Sequence, residues 1–303
     1  MVDAGGGACG VSASALKLQV GARTLASFPR RLVRVAWSLE QVLAASGPVL
    51  PALADADDGY LVTSLPEGVA LDAGGLRFVR QRYVRYYVDL AGGRAAWAAG
   101  LSGQARSGLK RKAKKLAAAN GGVLDVRRYR SAEEMAVFHP LARRVSATTY
   151  QERLLGSGLP EDAAGLVAAA AQDWARAWLL FLGDAPIAYL WCGADGDTLR
   201  YDYVGHDPAY HALSPGSVLM GEALGDLFAD CFRWFDFTEG EGQHKRGLAS
   251  GGVVCHDLLL LRPTIANRAA VAAVGGFDAA MAVAKRWGET PALKGIAQRV
   301  RRA

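Results

Sequence analysis

The sequence predicts a mixed α/β fold, a mostly antiparallel sheet with helices on its faces, and three observations carry that prediction. Residues 177–182, 187–192 and 198–205 are short runs rich in apolar and β-branched side chains. Gly183-Asp184 and the turn at 193–197 join them, which is the pattern of an antiparallel meander. Ser214-Pro215-Gly216-Ser217 then opens a helix in which Leu219, Met220, Ala223, Leu224, Leu227 and Phe228 recur at helical spacing. A short apolar strand at 234–238 follows, placed to return beside the third strand of the meander.

The rest of the chain reads in order around that centre. A short tail leads to a helix over 32–43, then to a Pro/Gly/Asp-rich passage at 47–59 and strands at 60–65 and 76–90. The second of these, LRFVRQRYVRYYVDL, alternates arginines with aromatic and β-branched residues and so has one wet face. From residue 95 the pattern turns helical. Ala105, Leu109, Ala113 and Leu116 form an apolar stripe, cations fill the other faces, and Asn120-Gly121-Gly122 ends the helix. A strand at 123–129 precedes a helix that Ser131 caps and that runs to about Val145, with Glu133 and Glu134 in its first turn. A further helix covers 163–176, a polar loop 239–248, a final strand 253–261, and a helical extension with a basic end the remainder.

Composition bounds the function. Of 303 residues, 51% are hydrophobic and 21% charged, which builds a sizeable core and excludes a disordered chain. The net charge of +6 points to an anionic partner without naming it. Cys9, Cys192, Cys231 and Cys255 are scattered, with no Cys/His pattern at metal spacing. No disulfide framework and no metal are therefore expected, and the setting reads as reduced and cytoplasmic. The first ten residues lack the features of a signal peptide, and Gln172, Asp173 and Arg176 interrupt the most apolar long stretch, 163–182.

Two features carry chemistry. The start of the helix at Ser214 offers unpaired N–H groups and a positive dipole end to an anion, and small residues there let it come close. Ser214 is the expected N-cap and Pro215 the first helical position. The helix at 102–119 carries Arg106, Lys110, Arg111, Lys112, Lys114 and Lys115, with no acidic residue between Arg94 and Leu124. Such like charges repel one another unless an anionic partner relieves them.

Three segments, SGQARSGLKRKAKKL (102–116), YVGHDPAYHALSPGSVLMGEAL (203–224) and FDFTEGEGQHKR (235–246), resemble the GNAT superfamily of acyltransferases in order and spacing. Within it they are similar to the branch of FemAB-like and CelD-type proteins, over about residues 78 to 263. The chain departs from many members in having His211-Ala-Leu-Ser-Pro-Gly-Ser, with a single glycine, where they carry a fuller glycine-rich loop. The resemblance implies a GNAT fold in a FemAB-like tandem arrangement: a reduced N-terminal lobe at 1–94, the acyltransferase core at 95–263, and a basic helical extension at 264–303.

It further implies acyl-CoA as co-substrate. Its pyrophosphate would lie at Ser214, Pro215, Gly216 and Ser217, and its thioester carbonyl would face backbone N–H groups near Tyr203, Val204 and Gly205. Arg106, Lys110 and Lys245 are the cationic candidates for its phosphates or for an acceptor anion. The catalytic candidates are Asp202, Tyr203, His206 and Glu239, with Glu241 and His244 nearby. His206 titrates near neutrality and suits a base, though a His before Asp-Pro also serves as a turn residue. Glu239 ends a buried-type strand on the implied acceptor side, or is a solvated loop acid; Tyr150 and Tyr201 read as packing aromatics.

The expected reaction is direct attack by an amine (a lipid amine, an amino sugar or an amino acid) on the acyl donor in a ternary complex, without a metal. Peripheral contact with an anionic membrane is a further use for the basic surfaces. The rival readings are an aminoacyl-tRNA-dependent transferase of the FemX kind and a non-catalytic binding protein of the same fold.

Overall fold

The computed structural model describes residues 10–20, 23–149, 152, 158–240 and 242–288. Strands β1 (Gly10–Val20) and β2 (Arg23–Ala36) come first, followed by α1 (Leu39–Ala44), β3 (Gly59–Pro66), β4 (Leu76–Asp89), α2 (Gly93–Gly100) and α3 (Gly103–Ala119). Then come β5 (Asp125–Tyr129), α4 (Ala132–Ser146), α5 (Ala164–Ala171), β6 (Ala175–Leu182), β7 (Ala185–Asp195) and β8 (Thr198–His206). A 3₁₀ turn (Pro208–Leu213) leads into α6 (Pro215–Leu227), and β9 (Trp234–Asp236), α7 (Gln243–Leu248), β10 (Gly251–Leu261) and α8 (Ile265–Gly288) complete the described chain.

The chain divides into two compact units, one holding residues 38–43 and 83–255, the other the described parts of 6–37, 44–82 and 256–303. In the first unit the strands follow the order β10-β4-β9-β8-β7-β6-β5. The pairs β5–β6, β6–β7, β7–β8 and β4–β9 are antiparallel, and β8–β9 is parallel across the α6 crossover. Both faces of this sheet are covered, which is why β6 reads ARAWLLFL rather than alternating with polar residues. Trp178 and Leu180 face one core with Leu219, Ala223, Leu224 and Leu227 of α6, while Ala177, Leu179 and Phe181 face another with Met135, Phe138 and Ala142 of α4. The capping box between Ser131 and Glu134 sets the start of α4, and the N–H groups of Ser131 and Arg130 hold the Glu134 carboxyl below its ordinary range.

In the second unit β1 pairs antiparallel with β2, and β2 parallel with β3. Leu16, Leu32, Leu61, Leu259 and Leu261 form its core with Ala270 and Val274 of α8. Buried Asp257 accepts hydrogen bonds from the Ser64 N–H (3.0 Å) and the Gln81 amide (2.8 Å).

Several expected elements are corrected. Residues 32–36 belong to β2, and only Leu39–Ala44 is helical, so the helix expected at 32–43 is a strand followed by a six-residue helix. Leu32, Val33 and Val35 are apolar enough for either, and pairing with β1 and β3 decides for the strand. The stretch expected to be a tail contains β1 and the start of β2. The helix expected over 163–176 ends at Ala171, because Asp173 takes a left-handed φ of 58° before β6. Inside the loop expected at 239–248, Gln243–Leu248 forms α7. Tyr150, Cys9, Glu241 and residues 289–303 lie outside the described residues.

Arg176, on β6 and nearly fully buried, donates from Nε and Nη2 to the two oxygens of Asp230 at 2.6 and 2.9 Å. Burial alone would raise the Asp230 carboxyl, but Arg176 and the Cys231 N–H hold it down to about 2. A depressed carboxylate contributes stability that is present above its unfolded pKa and is lost as pH falls through the folded value. Asp230→Asn is therefore expected to cost about 1–2 kcal/mol at pH 7 in urea denaturation, with the gap to wild type closing below about pH 4.

Candidate functional site: a parted pair of strands at a helix start

β8 and β9 pair for three residues only, Thr198↔Trp234, Leu199↔Phe235 and Arg200↔Asp236. Two local devices then part them. On β8 the register against β7 shifts between Trp191 and Cys192, so Asp202 is the extra residue of a β-bulge. Its carboxylate fills the vacated ladder position by accepting the Gly193 N–H at 3.1 Å, and Arg200 pairs with it at 2.9 Å. Burial raises the Asp202 carboxyl, against the lowering effect of Arg200 and the Gly193 N–H. On the other side, Thr238 adopts a left-handed φ of 57°, and its N–H bonds back to Asp236 Oδ1 at 2.8 Å. Asp236 is wholly buried against Arg85 of β4.

The consequence for β8 is an open edge. The Asp207 N–H bonds the Ile187 carbonyl of β7 at 2.9 Å, so alternation turns Gly205 and Tyr203 toward β7 and Val204 and His206 away from it. The Tyr201 carbonyl, on that same outward side, accepts from Thr238 Oγ1 at 3.4 Å and marks the base of the gap. Val204 packs on the α6 core, and Tyr203 lies on the opposite face with its ring 5.6 Å from that of Trp191. A Cβ on Gly205 would lie 2.6 Å from the Tyr189 ring and 2.8 Å from Thr149 Cγ2.

The start of α6 meets the end of this edge. A Cβ added to Gly216 would stand 3.6 Å from His206 Nδ1 and touch nothing nearer. Ser214 is not the side-chain cap that was expected: it takes a left-handed φ of 54° between the 3₁₀ turn and Pro215, its side chain caps nothing, and its carbonyl accepts from Ser217 and Val218. The Gly216 N–H has no hydrogen-bond partner among the described residues. The His206 imidazole stacks on that of His211, centroids 5.6 Å apart, and burial first, His211 second, lower its pKa.

α3 packs across α6, with Leu109 against Gly221. It thereby brings Lys112 Nζ to Ser217 Oγ (3.1 Å) and Lys115 Nζ to the Ala212 carbonyl (2.9 Å). Two ammonium groups, a free N–H and a helix dipole thus converge on one small-residue turn, a physical match to a phosphate or pyrophosphate. Both lysines belong to the basic set expected to meet an anion, and Lys112 falls three residues after Leu109 and four before Leu116, on the packed face. Arg106 lies elsewhere, donating to the Ala98 and Ala99 carbonyls at 3.0 Å each, and Lys110 is exposed.

On the far wall, Glu239 is exposed beyond the Thr238 turn. Lys245 is buried and donates to the Phe237 and Glu239 carbonyls at 2.8 and 2.7 Å. The side chain of His244 lies outside the described ones. Tyr201 packs between Phe235 and Phe237, and burial raises its phenol. Among the described residues no group of His, Cys, Asp or Glu has the arrangement of a metal site. No helix among them is long and apolar enough to cross a membrane.

A strand meander whose third member parts from the next strand at a bulge, with a crossover helix starting in the opening, is the architecture of the GNAT transferases. Residues 103–246 match the family described as acetyltransferase (GNAT) domain. The resemblance of the three sequence segments to the GNAT superfamily is borne out by this match. Among solved structures, the chain is similar to the C-terminal domain (DUF2156) of a putative lysylphosphatidylglycerol synthetase from Agrobacterium fabrum, with a TM-score of 0.51 and 10% identity over 72% of this chain and 70% of that one. It also resembles L-PGS from Bacillus licheniformis, TM-score 0.44 and 12% identity over 71% of each chain. A third is FemX, TM-score 0.46 and 10% identity over 83% of this chain and 88% of that one. At these identities the first likeness concerns the fold alone. No curated protein sequence matches the chain.

The two glycines at the opening make opposite predictions. Gly205→Ala is expected to lower stability in urea denaturation by about 1–3 kcal/mol, because Tyr189 and Thr149 must give way. Gly216→Ala is expected to stay within about 0.5 kcal/mol of wild type.

Proposed function

We propose that this protein transfers an acyl group from an acyl-CoA thioester to an amine by direct attack in a ternary complex. The observation that carries the reading is the meeting of the open β8 edge with the α6 start, where Lys112 and Lys115 converge. A pyrophosphate suits that turn, and a chain of amides suits an unpaired strand edge with both a donor and an acceptor at Val204. The acyl carbonyl is assigned to the gap near Tyr203, Val204 and Gly205. Of the two outward N–H groups, about 6.6 Å apart along the strand, that of Val204 donates to the oxyanion that forms when the amine nitrogen adds to the carbonyl carbon, and that of His206 is left to the amide chain. The C–S bond then breaks and the sulfur leaves as thiolate.

Proton movement is assigned to the polar groups around the gap. Glu239, exposed on the far wall, is the proposed acceptor of the ammonium proton, directly or through water. Burial and His211 lower the pKa of His206, which suits a second base, and the proton it takes from the attacking amine is then the one passed to the thiolate. Asp202 and Tyr203 shape the bulge from which the donors project. Positioning and oxyanion donors carry most of such a reaction, so a sparse set of titratable groups suffices. A second reading, an aminoacyl-tRNA donor, is favoured by one observation: Lys110, Arg111 and Lys114 of α3 are exposed, and residues 95–123 hold no acid to balance them.

Thermal unfolding with coenzyme A, acetyl-CoA, a long-chain acyl-CoA and unacylated tRNA separates these readings. A coenzyme A species at a hundredfold excess over its Kd is expected to raise the Tm by about 5 °C, and Gly216→Glu to abolish that rise. A rise with tRNA alone, absent with millimolar coenzyme A, overturns the acyl-CoA donor.

A further inference from the structure

We propose that Lys245 is a positioning residue for the donor site, holding the segment after β9 away from β8; this rests on the donor reading above. A lysine is rarely buried, yet Lys245 is 8% exposed. Its ammonium group reaches back over eight and six residues to the carbonyls of Phe237 and Glu239, at 2.8 and 2.7 Å, and stands 5.5 Å from the centre of the Tyr201 ring. Two of its three donors are therefore committed to main chain, an arrangement suited to shaping a loop. Burial lowers its pKa, against the raising effect of Asp236 and Glu239.

The segment held in this way forms one wall of the gap. The Phe237 N–H bonds the Tyr86 carbonyl of β4 at 3.0 Å and its carbonyl goes to Lys245. Thr238 is left-handed, and Gly240 follows at a φ of 92°. In this segment β4 holds the Phe237 N–H, Asp236 the Thr238 N–H, and Lys245 the Phe237 and Glu239 carbonyls, while Thr238 Oγ1 reaches the Tyr201 carbonyl of β8. Without the ammonium, the Phe237 and Glu239 carbonyls lose this donor, and the outward N–H groups of Val204 and His206 are donors they can compete for. Lys245 in this account keeps the far wall open and does not itself touch phosphate.

Amide hydrogen exchange over residues 238–240, combined with calorimetric titration of coenzyme A, tests this. In Lys245→Met, exchange at 238–240 is expected to rise at least about tenfold and coenzyme A to bind about tenfold more weakly. Lys245→Cys, in a background with Cys9 and Cys231 changed to Ser, is expected to behave like Lys245→Met and to regain both properties on aminoethylation, which rebuilds a lysine-like ammonium. That pair also replaces the comparison should Lys245→Met fail to fold. Unchanged exchange overturns the proposal. Weakened binding with unchanged exchange also overturns it, making Lys245 a direct ligand contact, as does altered exchange with full affinity. If the wild type binds no coenzyme A, the donor reading falls, and the exchange result alone decides the role of Lys245.

Discussion

The Asp236 carboxylate sits wholly buried against Arg85 and also accepts the Thr238 N–H, and these contacts fix where β9 stops. A buried acid of this kind is tolerated only while paired, and removing one partner of such a pair typically costs about 3–5 kcal/mol. The core therefore cannot easily give up the geometry that turns the chain at Thr238. On the facing strand the Asp202 carboxylate replaces a ladder hydrogen bond and stabilises the bulge. Two aspartates, one on each strand, thus hold open a seam that a regular parallel pair would close.

An unpaired strand edge carries a cost unless water or a ligand satisfies it. Here the edge leads to a helix start rather than to another strand. Pro215 lacks an N–H, Gly216 lacks a Cβ and stands beside His206, and Ser214 adopts a left-handed turn just before them. The sheet contributes amide donors and acceptors along an extended path, and α6 with α3 contributes positive charge at its end. That division matches a ligand with a polar extended arm and a phosphorylated head.

Much of this fold was legible in the sequence because its elements declare themselves locally. The meander 175–206 has Gly/Asp turns and runs of apolar residues; α4 has its capping box; α6 has Pro215 at its first position. What was misread depends on distant partners. Residues 32–36 are apolar in a way that suits helix or strand, and only β1 and β3 settle the choice. Ser214 looks like a cap, yet the preceding 3₁₀ turn forces it into a left-handed conformation. The site was legible as a region rather than as contacts. The start of α6 could be placed from pattern and the edge at Val204 from the family resemblance, whereas the contacts of Lys112 and Lys115 emerge only from the way Leu109 seats α3 on α6. The buried state of Lys245 has no local signature, because the carbonyls that hold it belong to a turn set by Asp236 and Arg85.

The central claim is that the outward edge of β8 is the surface along which the acyl donor lies. Amide exchange at single-residue resolution for Val204, measured with and without saturating coenzyme A, tests it most directly. The account predicts that the Val204 amide exchanges freely in the apoprotein, that Gly205 is protected throughout by β7, and that coenzyme A slows Val204 by at least about tenfold. Slow exchange at Val204 in the apoprotein, or saturation by coenzyme A that leaves Val204 unchanged, would contradict the account.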